Sequence, residues 1–209
     1  MKLVPKAPAV DTSLPLGDRD ENPQGLGLMA LLTEDFETHG RNPLSPGFWA
    51  VAVHRLGNAR MSVRSPVLRA PLTVAYRTAF HSVVALWGID LPYNIKLGRR
   101  LRIEHHGCLM IGARQIGDDV VIRHSVTMGL RERNAHEFPT IGNRVEIGPG
   151  ACIVGGVHVG DDAYIGANTV VAQNVRAGVA LLGIPPRAVD LSTLETATPA
   201  KAKSTSSAA

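Results

Sequence analysis

From Ile141 onward the chain repeats with a period of six. The lead residues Ile141, Ile147, Ile153, Val159, Ile165 and Val171 are all branched and apolar. The next residues are Gly142, Gly148, Val154, Gly160, Gly166 and Ala172, and four positions after each lead stand Val145, Ala151, Val157, Ala163, Thr169 and Val175. An amphipathic helix needs apolar residues every three or four positions, and a half-buried sheet needs strict alternation. Neither fits. A period of six gives one short strand and one turn per unit, and such units stack as a parallel β-helix. The lead residue points inward onto its counterpart in the next coil, and glycine beside it lets the backbone turn tightly. Ile116, Ile122 and Met128 form a second register upstream, and Leu97, Ile103 and Leu109 a third.

Two breaks in the period carry information. Leu109 to Ile116 is one residue too long, like a bulge. Between Met128 and Ile141 an excursion is expected over residues 129–140, and solenoids place insertions as surface loops, often on the binding face. This loop carries Arg131, Arg133 and His136, a candidate ligand clamp.

Ahead of the repeat, residues 26–89 read as a helical domain. Residues 26–40 stop at Gly40, residues 48–61 are preceded by Ser45 as a cap with Pro46 at the first position, and residues 71–89 run from Pro71 to a Gly88 stop. Residues 1–25 read as a loose, disordered arm, 90–188 as the β-helix, and 189–209 as a polar disordered tail. Aromatic residues make up 4% of the chain and glycines number 21, which suits thin, repetitive packing. A net charge of +4 fits an anionic small molecule, and no Lys/Arg stripe points to nucleic acid. Two cysteines, Cys108 and Cys152, form no disulfide framework, so a reducing cytoplasm is expected. No apolar leader and no run of 18 apolar residues is present, so no membrane insertion is expected.

The stretch LRIEHHGCLMIG (101–112) sets Glu104, His105 and His106 between inward positions. Neighbouring strand side chains point to opposite sides, so the three cannot all enter the apolar tube, where unpaired charge is costly. They belong to a strand end or corner. One coil of a three-sided hexapeptide helix is eighteen residues, so His124, nineteen residues on, should sit close to His105. Histidine suits general-base work because its ordinary pKa is roughly 6.5. His39, His54 and His81 read as structural or solvated, His158 as a solvated turn residue, and His106 as a contact or structural group.

The repeat, with GIDLPYNIKLGRRLRIEHHG before it and VGDDAYIGANTVV and LLGIPPR after it, resembles the hexapeptide-repeat acyltransferases, and within them most the serine O-acetyltransferases. The resemblance covers residues 88–188 well and the helical part loosely. It implies a left-handed parallel β-helix behind an N-terminal helical domain, a homotrimer or dimer of trimers with sites between subunits, and acetyl transfer from acetyl-CoA to a hydroxyl, most directly that of L-serine. In that family an Asp fifteen positions before a His forms a dyad in which the Asp orients the base. Asp90 and His105 have that spacing, with Glu104 where the family has a second Asp. The resemblance further implies substrate contacts from Glu104, His124, Arg131, Arg133 and His136. It implies coenzyme contacts from Gly129, Gly148, Ala151, Ala167 and Arg187, and no metal.

The chain also departs from the family pattern. Glu137-Phe138 stands before Pro139 where the family has Arg-His, and Arg41-Asn42-Pro43-Leu44 replaces Arg-Asp-Pro-Ala. The chain ends Ser-Ser-Ala-Ala rather than in the Ile of members that bind cysteine synthase, so that partner is not expected. Acetylation of a sugar hydroxyl in polysaccharide biosynthesis is the alternative acceptor. From other classes, a γ-type carbonic anhydrase-like metalloenzyme would need a histidine pair five residues apart, absent from the repeat. A non-catalytic scaffold would need no Asp90–His105 spacing.

Overall fold

The computed structural model describes residues 13–132 and 136–183. Three helices come first: α1 (Leu28–Thr38), α2 (Pro46–Ala59) and, after a 3₁₀ turn at Arg60–Ser62, α3 (Pro66–Trp87). The Ser45 side chain accepts the Phe48 N–H at the start of α2, with Pro46 at the first helical position. Helix α3 closes on Gly88 in the left-handed region (φ 64°). It starts five residues before the expected Pro71, which lies inside the helix. Pro71 has no amide to donate, and both it and Val67, the residue four back, are exposed, so water can solvate the freed carbonyl.

Fourteen short strands follow: β1 (Ile89–Asp90), β2 (Lys96–Leu97), β3 (Arg102–Glu104), β4 (Leu109–Ile111), β5 (Gln115–Ile116), β6 (Val121–Arg123), β7 (Thr127–Gly129), β8 (Thr140–Ile141), β9 (Glu146–Ile147), β10 (Cys152–Val154), β11 (His158–Val159), β12 (Tyr164–Ile165), β13 (Val170–Val171) and β14 (Ala180–Leu181). They form three parallel faces. The first is β1-β4-β7-β10-β13, the second β2-β5-β8-β11, and the third β3-β6-β9-β12-β14. This is the three-sided parallel β-helix that the period of six demands. Ile116, Ile141 and Val159 stack on one face, Ile122, Ile147 and Ile165 on another, and Met128, Ile153 and Val171 on the last. All nine are buried and fill the tube.

The first break in the period falls elsewhere than expected. Ile111, not Leu109, stacks on Met128, while Leu109 is buried against Ile89. The surplus therefore lies between Ile103 and Ile111. The corner of Glu104–Cys108 is two residues longer than the regular step, and the corner after Ile111 is one shorter. The longer corner holds three left-handed residues, His105 (φ 53°), Gly107 (φ 124°) and Cys108 (φ 51°). At the second break, residues 130–132 and 136–139 are described and lie outside the strands, and residues 133–135 lie outside the described residues.

The helices pack on the first coil. Arg55 and Asp35, both fully buried, form a 3.0 Å ion pair, and the guanidinium also donates to the Leu97 and Gly98 carbonyls. Residues 13–25, expected as a loose arm, are docked where described. The Asn22 amide donates to Arg55 O, Glu21 N–H to Asn58 Oδ1, and the Tyr93 hydroxyl to Gly17 O. Residues 1–12 and the tail 189–209 lie outside the described residues. No helix of the described residues is long and apolar enough to cross a membrane.

Candidate active site

His105 and His124 come together. Their rings meet edge to face, with centroids 6.1 Å apart and planes at 87°. Both are exposed, on neighbouring coils at the edge between the third and first faces. Ser125 N–H donates to Gly107 O at 2.9 Å, which ties the long corner to the next coil. His105 in the left-handed region points its side chain off the regular strand direction, a conformation that costs free energy for a non-glycine residue.

Asp90 ends β1 on the first face, half-buried. Among the described residues it makes no hydrogen bond to His105. Burial pushes its carboxyl above the ordinary carboxylate range, and the positive charge of His81, on α3, opposes that rise. His81, expected to be structural or solvated, is exposed.

Glu104 does not face the histidines as an unpaired acid. It extends from the third face between two cations, 3.0 Å from Arg102 Nε and 3.3 Å from Arg123 Nε, and Arg123 reaches on to Glu146 at 3.7 Å. Its carboxylate is thus shared between two guanidinium groups on the third face. Arg123 lies nineteen residues after Glu104, directly beside it on the next coil, because the lengthened corner makes this coil one residue longer than the regular eighteen.

Arg131 and His136 line a groove of about 560 Å³, with Glu132, Glu137, Gly155 and Asn174. This groove lies at the opposite edge of the first face from the two histidines, across β7. Arg133 lies outside the described residues. Of the expected coenzyme contacts, Gly129 is half-buried, with open space where a Cβ would stand, and Ala167 is exposed. Gly148 and Ala151 are both buried, and a Cβ on Gly148 would sit 2.7 Å from Ala167 N. Their smallness is what coil stacking requires. Arg187 lies outside the described residues. Beside the last coils, Val170, Gln173, Arg176, Val179 and Leu181 line a second groove of about 370 Å³.

Other histidines take structural posts. His54 is fully buried, 3.0 Å from Pro92 O and 3.1 Å from the Asn58 amide, and burial lowers its pKa to about 3. His158 stands in β11, not in a turn, beside Thr140 of β8. Among the described residues no group of three or more His, Cys, Asp or Glu side chains is arranged to hold a metal ion.

A family model described as bacterial transferase hexapeptide (six repeats) matches residues 138–173. The chain is 35% identical over 148 residues to a serine acetyltransferase of Helicobacter pylori, covering 70% of this chain and 82% of that one. It is 34% identical over 146 residues to the serine acetyltransferase of Mycobacterium tuberculosis, covering 69% and 61%. Among solved structures, soybean serine acetyltransferase superposes with a TM-score of 0.62 at 27% identity, covering 78% of this chain and 69% of that one. The Brucella abortus enzyme in complex with coenzyme A gives 0.61 at 26%, covering 76% and 66%.

Proposed function

Because the chain belongs to the serine acetyltransferase family of hexapeptide-repeat transferases, we propose that it moves the acetyl group of acetyl-CoA onto the hydroxyl of L-serine, with His105 as general base. The observation that carries this reading is the meeting of His105, on a corner lengthened by two residues, with His124 on the next coil. An alcohol is a poor nucleophile at neutral pH, so a base must take its proton as the oxygen attacks the thioester carbonyl. The serine O–C bond forms and the C–S bond breaks. The imidazole holds the hydroxyl proton and returns it to the leaving thiolate of coenzyme A. His124 stands beside the acceptor as a second contact. Asp90, on the face that this corner opens onto, makes no hydrogen bond to His105 here; it engages the imidazole as the substrates bind, fixing the tautomer and offsetting the transient charge. Arg131 supplies the cation for the amino acid carboxylate.

His124 and Arg131 flank the same strand but lie seven positions apart along the chain. A pocket that uses both is completed by a second copy, which supports a trimer with sites between subunits. Such a copy would cover the outward row of the first face, Asp90, Met110, Thr127, Cys152 and Val170, in which Met110 is 57% and Val170 68% exposed. Acetyl-CoA lies in the groove beside the last coils, against Ala167 and the Val170–Leu181 segment. Two free cysteines fit a cytoplasmic setting.

The test is thiol release from acetyl-CoA with a panel of amino acids and sugars. Serine-dependent release is expected, and His105→Ala should lower kcat by about 10²–10⁴-fold while coenzyme A binding is retained. Release driven by a sugar and not by serine would overturn the acceptor. Unchanged turnover in His105→Ala would overturn the base.

A further inference from the structure

Strand β3, which leads into His105, is the outermost strand of the third face. Its Arg102 N–H donates to Val120 O at 2.9 Å, toward the next coil. Successive amides of a parallel strand turn to opposite sides, so Ile103 N–H points away from the solenoid, where no earlier coil exists to receive it. The acceptor is His39 Nε2, 3.3 Å away, from the residue that caps α1. The other ring nitrogen, Nδ1, lies 2.7 Å from Asp35 O. A backbone amide only donates and a carbonyl only accepts, so Nδ1 carries the proton and Nε2 is bare.

The fit around this ring leaves no slack. A Cβ on Gly47, at the start of α2, would stand 2.9 Å from His39 Nε2 and 2.7 Å from Ile103 O. The Phe48 ring meets the imidazole edge-on at 6.5 Å. The charged groups that His39 feels are Asp35 of α1 and Arg102 of β3. Burial holds its proton affinity below the ordinary histidine range; the Asp35 carbonyl and carboxylate pull the other way and the Arg102 charge adds to the lowering.

We propose that His39 is a positioning residue: its neutral imidazole clamps the free edge of β3 and so fixes His105, two residues further on, in its left-handed corner. The proposal rests on the reading of His105 as the base. His39 touches neither substrate nor coenzyme in this scheme. Its effect passes through one backbone hydrogen bond into a corner that is already conformationally costly.

The test uses the full chain with acetyl-CoA and serine, comparing His39→Leu, His39→Gln, Gly47→Ala and His105→Ala. His39→Leu should keep a native melting transition and lower kcat by about ten- to a hundredfold, with KM for acetyl-CoA little changed. His39→Gln, whose amide oxygen reaches the place of Nε2, should restore most of the loss. Gly47→Ala should lower kcat in the same direction by displacing ring and strand together, and it carries the comparison if His39→Leu does not fold. On a His105→Ala background, His39→Leu should add no further loss. Full kcat in a folded His39→Leu beside an inactive His105→Ala sinks this proposal alone, as does a Gln variant no better than Leu. Full turnover in His105→Ala sinks the general-base reading and this proposal with it.

Discussion

His54 shows how one buried side chain ties stability to pH. Its Nδ1 donates to Pro92 O and its Nε2 accepts from Asn58, an arrangement that needs the neutral ring. The folded pKa of about 3 lies below the ordinary 6.5, so between those values the unfolded chain binds a proton that the folded chain refuses. Stability from this group is therefore complete above pH 6.5 and is lost as pH falls toward 3, by about 2–3 kcal/mol at pH 4.5. The melting temperature should drop over that window, with a shallower drop in His54→Gln. Such posts were not legible in the sequence, because a histidine in a helix pattern looks the same whether it is solvated or enclosed. Part of the site was legible. The eighteen-residue repeat brought His124 close to His105, whereas the Glu104–Arg123 pair, nineteen residues apart on the lengthened coil, was not read from the sequence. Gly148 and Ala151 are buried where Ala167 is exposed, a difference the sequence did not show, because smallness serves both coil stacking and ligand approach.

At the scale of the element, one corner of each coil repeats a single device. Arg99 N–H donates to Asp118 Oδ1 at 2.8 Å, Asp118 N–H to Asn143 Oδ1 at 2.9 Å, and Asn143 N–H to Asp161 Oδ1 at 2.8 Å. The following residues, Arg100, Asp119, Arg144 and Asp162, all take left-handed φ, and they pair as Arg100–Asp119 and Arg144–Asp162. The arginine partners hold the Asp119 and Asp162 carboxyls below the ordinary carboxylate range. The glycine before each pair has no room for a side chain: a Cβ on Gly117 would lie 2.5 Å from Gly142 O. Gly117→Ala should cost about 1–3 kcal/mol in urea unfolding, because the obstacle is backbone and cannot swing aside. Gly129→Ala should stay within about 0.5 kcal/mol, since nothing lies within 4 Å of its Cβ position. The strands were readable because branched residues recur every six positions. The placing of the longer corner was not, since Leu109 and Ile111 are both apolar and both buried, and only strand pairing tells which one keeps phase with Met128.

For the whole molecule, the exposed outward row of the first face sets the assembly that the site needs. Met110→Glu and Val170→Glu each put a charge into that row. In light scattering the wild-type mass should correspond to a trimer or its multiple. Each variant should shift toward the monomer and lose acetyl transfer together with the shift, while its melting stays close to wild type. The helices, clasped by Arg55 to the Leu97 and Gly98 carbonyls, pack at the same end of the prism as the lengthened corner. Each rung of the stack touches only its neighbours. A lineage built on this plan can therefore gain or shed whole rungs at the far end by duplication or loss, changing its length without retuning the chemistry housed beside the helices.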